Sequence, residues 1–285
     1  MTPEVVAYWS ADVAGLIDAW ESSAISFATL AGELTDEQWA TPSRVPGWSV
    51  GDVVAHVASI EAELAGRPDP AHQPNYEALP HAAGSPTGPY TEIGVDLRRT
   101  RSRDEVVAEL TGLIEPRAAQ WRAGSMDPDA PFTGPAGWQL TVAKMLRMRC
   151  FDTWVHEQDI RQPLGLPGSE KSPGAWVSAG QVAGALPALW GRNVKAEPGQ
   201  TLLVEVRGPD DDSVAFTRFT GIGPDGRGID LPLGEAENAD LIVRGQWMEL
   251  EPAVTGRVDG TEATLTVTGD GDLAARFLRG MNIAP

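Results

Sequence analysis

The sequence predicts a helical N-terminal domain over residues 1–196, built as a four-helix bundle with one long crossover, followed by a smaller α+β domain over 197–285. Three observations predict it. The first two-thirds of the chain repeats apolar residues at helical spacing. A segment rich in Pro, Gly, Ala and His interrupts that pattern from about residue 67 to 101. Past KAEPGQ the pattern changes to short runs of β-formers that end in Gly, Pro or Asp. A chain of 285 residues is long enough for two separate cores.

Residues Pro3 to Leu34 keep helical spacing without an internal proline and predict one long helix. TDEQWATPSRVPGW is a turn-rich connection. The second helix begins at WSVGDVVAHVASIEAELAG, with Ser49 as N-cap and Asp52 three residues on, where its charge suits the positive helix end. Gly66 and Pro68 end it. The segment 67–101 lacks periodicity and reads as a long surface excursion, a candidate lid. RDEVVAELTGLIEPRAAQWRAG predicts a third helix bent at Pro116, where a backbone donor is missing. After the loop SMDPDAPFTGPAG, WQLTVAKMLRMRCFDTWVHEQDIRQ predicts the fourth, ending before Pro163. PGAWVSAGQVAGALPALWG is a weaker helix interrupted by glycines and Pro187. These four main helices and the crossover between them make a bundle.

In the last third, TLLVEVRGP, SVAFTRFTGIG, DLIVRG and ATLTVTGD predict strands, and QWMELEPAVTG and GDLAARFLRGMN predict short helices. Strands and helices mixed in this way form an α+β domain.

Charge narrows the partners. The formal net charge is -18, which repels both a nucleic-acid backbone and an anionic membrane surface. No apolar run approaches the roughly 18 residues that span a bilayer. The one cysteine, Cys150, cannot form an internal disulfide, and no secretion signal is evident, so a reducing cytoplasm fits. Small molecules are the expected partners, and the chain is expected to be a monomer or homodimer. Basic residues are mostly arginine, with lysine only at 144, 171 and 195, a composition associated with GC-rich bacterial genomes.

The chain has four histidines. Asp152 and His156 lie four apart on the fourth helix and share a face, where both can ligate one ion. Spacing alone favours an Asp–His surface pair or hydrogen bond over a metal site. Apolar residues around that helix, Phe151, Trp154, Val155 and Ile160, argue that the helix is packed and that a polar pair inside it needs a partner. His56 stands among Val53, Val54, Val57 and Ile60 and faces the bundle interior, either as a hydrogen-bonded core residue or as a ligand. Two imidazoles and a carboxylate from facing helices suit a divalent metal with open positions. Cys150 has apolar neighbours and reads as a buried structural thiol. His72 and His81, in the excursion, read as surface residues. The tryptophans, Trp48, Trp138 and Trp154 among them, read mostly as packing, with Trp48 able to wall a pocket.

PGWSVGDVVAHVAS, residues 46–59, together with DTWVHEQDIRQPLGLP, residues 152–167, resembles the mycothiol-dependent maleylpyruvate isomerase family of the DinB-like metalloenzyme superfamily. The resemblance covers nearly the whole chain and implies a DinB-like bundle followed by a domain similar to sterol carrier proteins. It implies zinc, or another divalent metal, on His56, Asp152 and His156, with mycothiol as the thiol cosubstrate. That family often has glutamate where this chain has the shorter Asp152. The resemblance also puts Asp159 behind His156, orienting its second ring nitrogen.

The chemistry so implied is that of a metal that favours a thiolate over a thiol. The thiolate serves either cis-trans isomerisation of a maleylpyruvate-like substrate or thiol S-transfer to an electrophile. A dianionic substrate calls for arginines: Arg149, three residues before Asp152, and Arg244, Arg276 and Arg279 in the second domain are candidates. Two other classes stay open: a non-catalytic binding or regulatory module of the same fold, and a metal-dependent hydrolase using bound water.

Overall fold

The computed structural model describes residues 12–84, 86–208, 210 and 213–283. These divide into two compact units, 12–177 and 178–283. The division falls inside a helix, Pro173–Arg192, ahead of the turn at 196/197 where the sequence suggests a boundary.

In the first unit, α1 (Val13–Glu33) starts at Asp12, whose side chain accepts a hydrogen bond from the Gly15 amide at 2.8 Å. The part of the predicted helix before Asp12 lies outside the described residues. A single turn, α2 (Asp36–Trp39), leads to α3 (Val50–Leu64), then to α4 (Gly88–Arg98), α5 (Arg103–Ala123) and α6 (Val142–Arg161). The helix α5 continues through Pro116. The bundle core is the set of inward faces: Leu16, Trp20 and Phe27 of α1, Val53 and Val54 of α3, Leu110 of α5, and Met145, Trp154 and Ile160 of α6. Full burial of an aliphatic or phenyl side chain contributes about 1.5–3 kcal/mol, so these positions dominate the unit's stability.

The segment 67–101 is not a structureless excursion. It contains two 3-10 turns, Tyr76–Ala78 and Pro80–Gly84, and the helix α4. Sequence periodicity misses α4 because polar anchors, not an apolar stripe, hold it. Buried Arg98 donates to Asp69 and Glu109, each through two hydrogen bonds of 2.8–2.9 Å. Gly94 lets α4 approach α3: a Cβ there would lie 1.9 Å from the Ser59 hydroxyl oxygen.

A second correction concerns the start of α6. The residues just before it form a small antiparallel hairpin, β1 (Pro131–Thr133) with β2 (Gln139–Thr141), in which Phe132 pairs with Leu140. Thr141 then caps α6 by accepting from the Lys144 amide at 3.4 Å, so the helix begins four residues later than its predicted Trp138 start. Phe132 stacks on Trp121 at 4.8 Å. Trp138 is 42% exposed and is not a packing residue.

The helix α7 (Pro173–Arg192) runs unbroken through Pro187. In the second unit, strands β3 (Thr201–Val206), β4 (Phe216–Ile222), β5 (Gly228–Asp230), β6 (Leu241–Gly245) and β7 (Thr266–Gly269) form a sheet ordered β5-β4-β3-β6-β7. Only β3 and β6 are parallel. Leu202, Leu203 and Val204 of the central strand are all buried, so that strand is covered on both faces. Leu203 packs with Phe219 and Ala236. Helices α8 (Trp247–Val254) and α9 (Gly271–Gly280) complete the unit. The three-residue β5 is too short to show in the sequence. Gly228 opens it beneath α7, where a Cβ would sit 1.7 Å from the Pro187 carbonyl oxygen. The expected architecture, a helical bundle and then a smaller α+β region, is the one observed. Among the described residues no helix is long and apolar enough to cross a membrane.

Candidate metal centre

Two helix starts and one turn position the site. At the head of α3, Ser49 Oγ accepts from the Asp52 amide at 3.1 Å and Asp52 accepts from the Ser49 amide at 3.0 Å. This reciprocal cap fixes where the helix begins and so where His56 falls. Just before it, Pro46 and Gly47 form a turn closed by a 3.1 Å bond from the Trp48 amide to the Val45 carbonyl. Gly47 has φ +81, and a Cβ there would lie 2.3 Å from the His81 ring, so the position requires glycine. The turn presents buried Trp48 to the site, with its ring centroid 5.2 Å from His56 and 6.5 Å from His156. The indole donates to buried Glu92 at 2.9 Å. On α6, Arg149, Asp152, His156 and Asp159 follow each other at three- and four-residue steps and form one stripe.

His56, Asp152 and His156 converge. One ligand atom from each lies within 4.8 Å of the others. Asp152 Oδ1 is 3.8 Å from His56 Nε2 and 3.6 Å from His156 Nε2, both too long for a hydrogen bond. The imidazoles are nearly fully buried, while the Asp152 side chain is 26% exposed and leaves the cluster open on one side.

The protonation states suit a cation. Burial lowers the pKa of His56 below 6.5 and outweighs the neighbouring Asp152, so the ring is neutral near pH 7. Burial opposes the charge on Asp152, but Arg149 and the two imidazoles hold its pKa well below 3.8. His156 Nδ1 is 2.9 Å from Asp159 Oδ2. A carboxylate there accepts from Nδ1–H, the tautomer in which Nε2 carries the lone pair. That lone pair faces the carboxylate oxygen of Asp152. Two acceptors turned toward each other can share a cation placed between them. An ion held at about 2.0–2.2 Å from each atom would draw the three slightly closer, so the residues fit a divalent metal. His56 Nδ1 is the exception to the supporting pattern: it is buried with no hydrogen-bond partner among the described residues.

Behind the cluster runs a ladder of buried charges. Arg149 donates through Nη1 to Asp152 Oδ2 at 2.8 Å and through Nε to Glu61 Oε1 at 2.9 Å. Burial works against the guanidinium's charge, but Asp152 and Glu61 outweigh it and raise its pKa. Glu61 also accepts from Trp20 Nε1 at 3.2 Å and from Arg117 Nε at 3.3 Å. Arg117 donates to the Leu64 carbonyl at 2.9 Å and lies 4.8 Å from the Trp121 ring centroid. Burial lowers the Arg117 pKa.

Of the site residues suggested by sequence, the structure brings together Trp48, His56, Arg149, Asp152, His156 and Asp159. Arg149 differs from expectation: two of its nitrogens are engaged by protein carboxylates instead of facing a substrate. Arg44 adds an ion pair to Asp159 at 3.2 Å. Arg244 belongs to the second unit, where it pairs with Glu205, its direct cross-strand neighbour. Arg276 donates to the Val194 and Lys195 carbonyls at 2.9 Å each. Cys150 is buried and its thiol is pushed up to about 12 by burial, consistent with a structural role. His72 meets Asp96 at 2.7 Å and His81 meets Glu92 at 3.1 Å; both are partly buried, not surface residues. Sequence reasoning misses Glu61, Arg117, Arg44 and Glu92. For two of them a signal exists: Glu61 falls four residues after Val57, and Arg117 four after Leu113, each a charge in a core register.

Comparison with known proteins places the fold and the family. Two uncharacterised proteins of Mycobacterium tuberculosis, from strains CDC 1551 / Oshkosh and H37Rv, are each 27% identical over 219 residues, covering 69% of this chain and 76% of theirs. The crystal structure of a mycothiol-dependent maleylpyruvate isomerase is similar, with TM-score 0.58, 14% identity, and coverage of 92% of this chain and 95% of that one. A histidine-to-alanine mutant of such an isomerase is similar too, at TM-score 0.56 and 13% identity. The family model for the mycothiol maleylpyruvate isomerase N-terminal domain matches residues 4–161, a span that contains every ligand candidate, and the chain belongs to that family.

Proposed function

We propose that this protein is a zinc-dependent enzyme that uses mycothiol to isomerise a maleylpyruvate-like substrate. The observation that carries the reading is the convergence of two imidazole nitrogens and one carboxylate oxygen on a partly open point. The family match and the structural neighbours, both named for mycothiol-dependent isomerases, support the isomerase over thiol S-transfer, which would use the same activated thiol.

His56, Asp152 and His156 would hold the ion. Zinc there supplies a Lewis acid that favours the deprotonated form of a thiol and leaves a coordination position open. The chain's own residues prepare that chemistry. Asp159 fixes the His156 tautomer, burial keeps His56 neutral, and Trp48 walls the site. Arg149 acts on Asp152. In the isomerisation, the thiolate sulfur would bond to one carbon of the cis double bond as the π pair moves onto the conjugated carbonyl to give an enolate, the resulting single bond would rotate, and the enolate pair would re-form the double bond as the carbon–sulfur bond breaks, releasing the trans product and the thiolate. Atoms and electrons balance without an oxidant.

Metal analysis of the purified protein tests the reading. About one zinc per chain is expected, lost in His56→Ala together with mycothiol-dependent conversion of maleylpyruvate to the trans isomer. Wild-type protein that takes up no metal from excess zinc, or isomerises equally well without mycothiol, would overturn it.

A further inference from the structure

We infer that Arg149, braced by Glu61, is a positioning residue that makes Asp152 a one-oxygen ligand. The inference rests on the metal reading and concerns how this chain builds its site. Asp152 is the least buried of the three ligand candidates, with its side chain 26% exposed, so its carboxylate has room to turn. What restricts it is Arg149 Nη1, 2.8 Å from Oδ2. That bond leaves Oδ1 alone facing His56 and His156.

Arg149 cannot follow the carboxylate if it moves. Its Nε is tied to Glu61 at 2.9 Å, and both side chains are only 3% exposed. Glu61 is in turn fixed by Trp20 and Arg117. The brace therefore starts in the bundle core on α5 and crosses α3 before it reaches the ligand on α6. An aspartate has one methylene fewer than glutamate and so fewer ways to reach an ion. Locking one oxygen onto a guanidinium aims the other at the imidazoles. One-oxygen ligation also leaves more of the coordination sphere for a thiol and a substrate than a chelating carboxylate would.

The test must separate geometry from charge, because removing a cation beside a metal site changes electrostatics as well as aim. Arg149→Lys keeps the positive charge but replaces the planar fork, which reaches both carboxylates, with a single ammonium. Zinc affinity is measured by competition with a chromophoric chelator, beside thermal melting of the metal-free proteins. Loss of a supporting partner lowers metal affinity about 10–100-fold, and that is the expected loss, with the apo variant still melting cooperatively. Zinc X-ray absorption or a zinc-loaded crystal structure of the wild type should show one Asp152 oxygen on the ion and the other on Arg149. This second measurement stands even if the variant fails to fold. A folded variant with wild-type affinity, or chelation by both oxygens in the wild type, overturns the inference alone. A wild type that takes up no zinc overturns the metal reading and this inference with it.

Discussion

Replacing Glu61 with glutamine should cost this protein a large share of its stability, and the structure says why. Glu61 is 2% exposed and receives three donors: Trp20 Nε1, Arg149 Nε and Arg117 Nε. Glutamine keeps one acceptor oxygen, which can still serve Trp20 and Arg149 through the Oε1 position. The other position becomes an amide NH₂, and it then points at Arg117 Nε–H, donor against donor. Arg117 loses a charge-assisted bond of about 1.5–3 kcal/mol. Two buried guanidiniums also lose their shared carboxylate, and breaking a buried ion pair from one side costs about 3–5 kcal/mol in total. Arg117 keeps the Leu64 carbonyl and its place over Trp121, so the upper end of that range is not exceeded.

Urea denaturation of the metal-free protein is the assay, followed by a fluorescence signal from the buried tryptophans. The expected loss is about 3–5 kcal/mol, which for a domain of this size lowers the melting temperature by roughly 6–20 °C. A loss under about 1 kcal/mol, the ordinary value of an exposed pair, would show that the ladder is not a buried, mutually dependent network. The triple replacement Glu61→Leu, Arg117→Met, Arg149→Met sharpens the contrast. Exchanging a whole buried ionic group for apolar residues is often neutral or better, so stability should return while tight zinc binding does not.

Other predictions rest on separate features. Folded His56 has its pKa lowered from 6.5, so below that pH the unfolded chain binds the extra proton. The apo protein should therefore lose stability as pH falls from about 6.5 toward the folded pKa, and His56→Phe should flatten that part of the curve. Asp152, held well below 3.8, contributes stability that persists to lower pH and is lost only as pH falls through its folded pKa; a pH series of urea midpoints checks both. Gly94→Ala should destabilise by about 1–3 kcal/mol through overpacking, because its Cβ would meet Ser59 Oγ at 1.9 Å and Asp69 Oδ2 at 2.9 Å; equal melting temperatures would refute it. Cys150, buried with its pKa pushed up to about 12, should react with a thiol reagent only on unfolding; rapid labelling of native protein would contradict its placement.

How much of the fold is legible in the sequence depends on what holds each element. Helices α1, α3, α5 and α6 show themselves because their inward residues recur at the helical period. The helix α4 does not, since Arg98, Glu92 and Gly94 hold it by charge and close approach, and none of these contributes to an apolar stripe. The β1–β2 hairpin is hidden for another reason: three residues per strand are too few to alternate visibly, and Gln139–Thr141 reads as an extension of α6. At the site, His56 and the Asp152–His156 pair stand out through local spacing and apolar surroundings. The role of Arg149 does not, because its partner Glu61 is on another helix and no local pattern connects the two. Sequence reading locates side chains on a face but cannot say which partner across the interface takes them first.

That limit bears on the substrate. Were the substrate a dianion, a chain with net charge -18 would have to supply cations locally. Arg98, Arg117 and Arg149 are the buried arginines among the described residues, and all three sit on carboxylates of the same chain. Their charge is neutralised where it stands, and displacing any of them would leave a buried carboxylate uncompensated at several kcal/mol. They serve the fold and the candidate ligand set, whereas the solvent-accessible arginines sit in exposed pairs that exchange at a cost of about 0–1 kcal/mol. Arg244, 49% exposed and paired across a strand to Glu205, is of this exchangeable kind, and Arg149 is not.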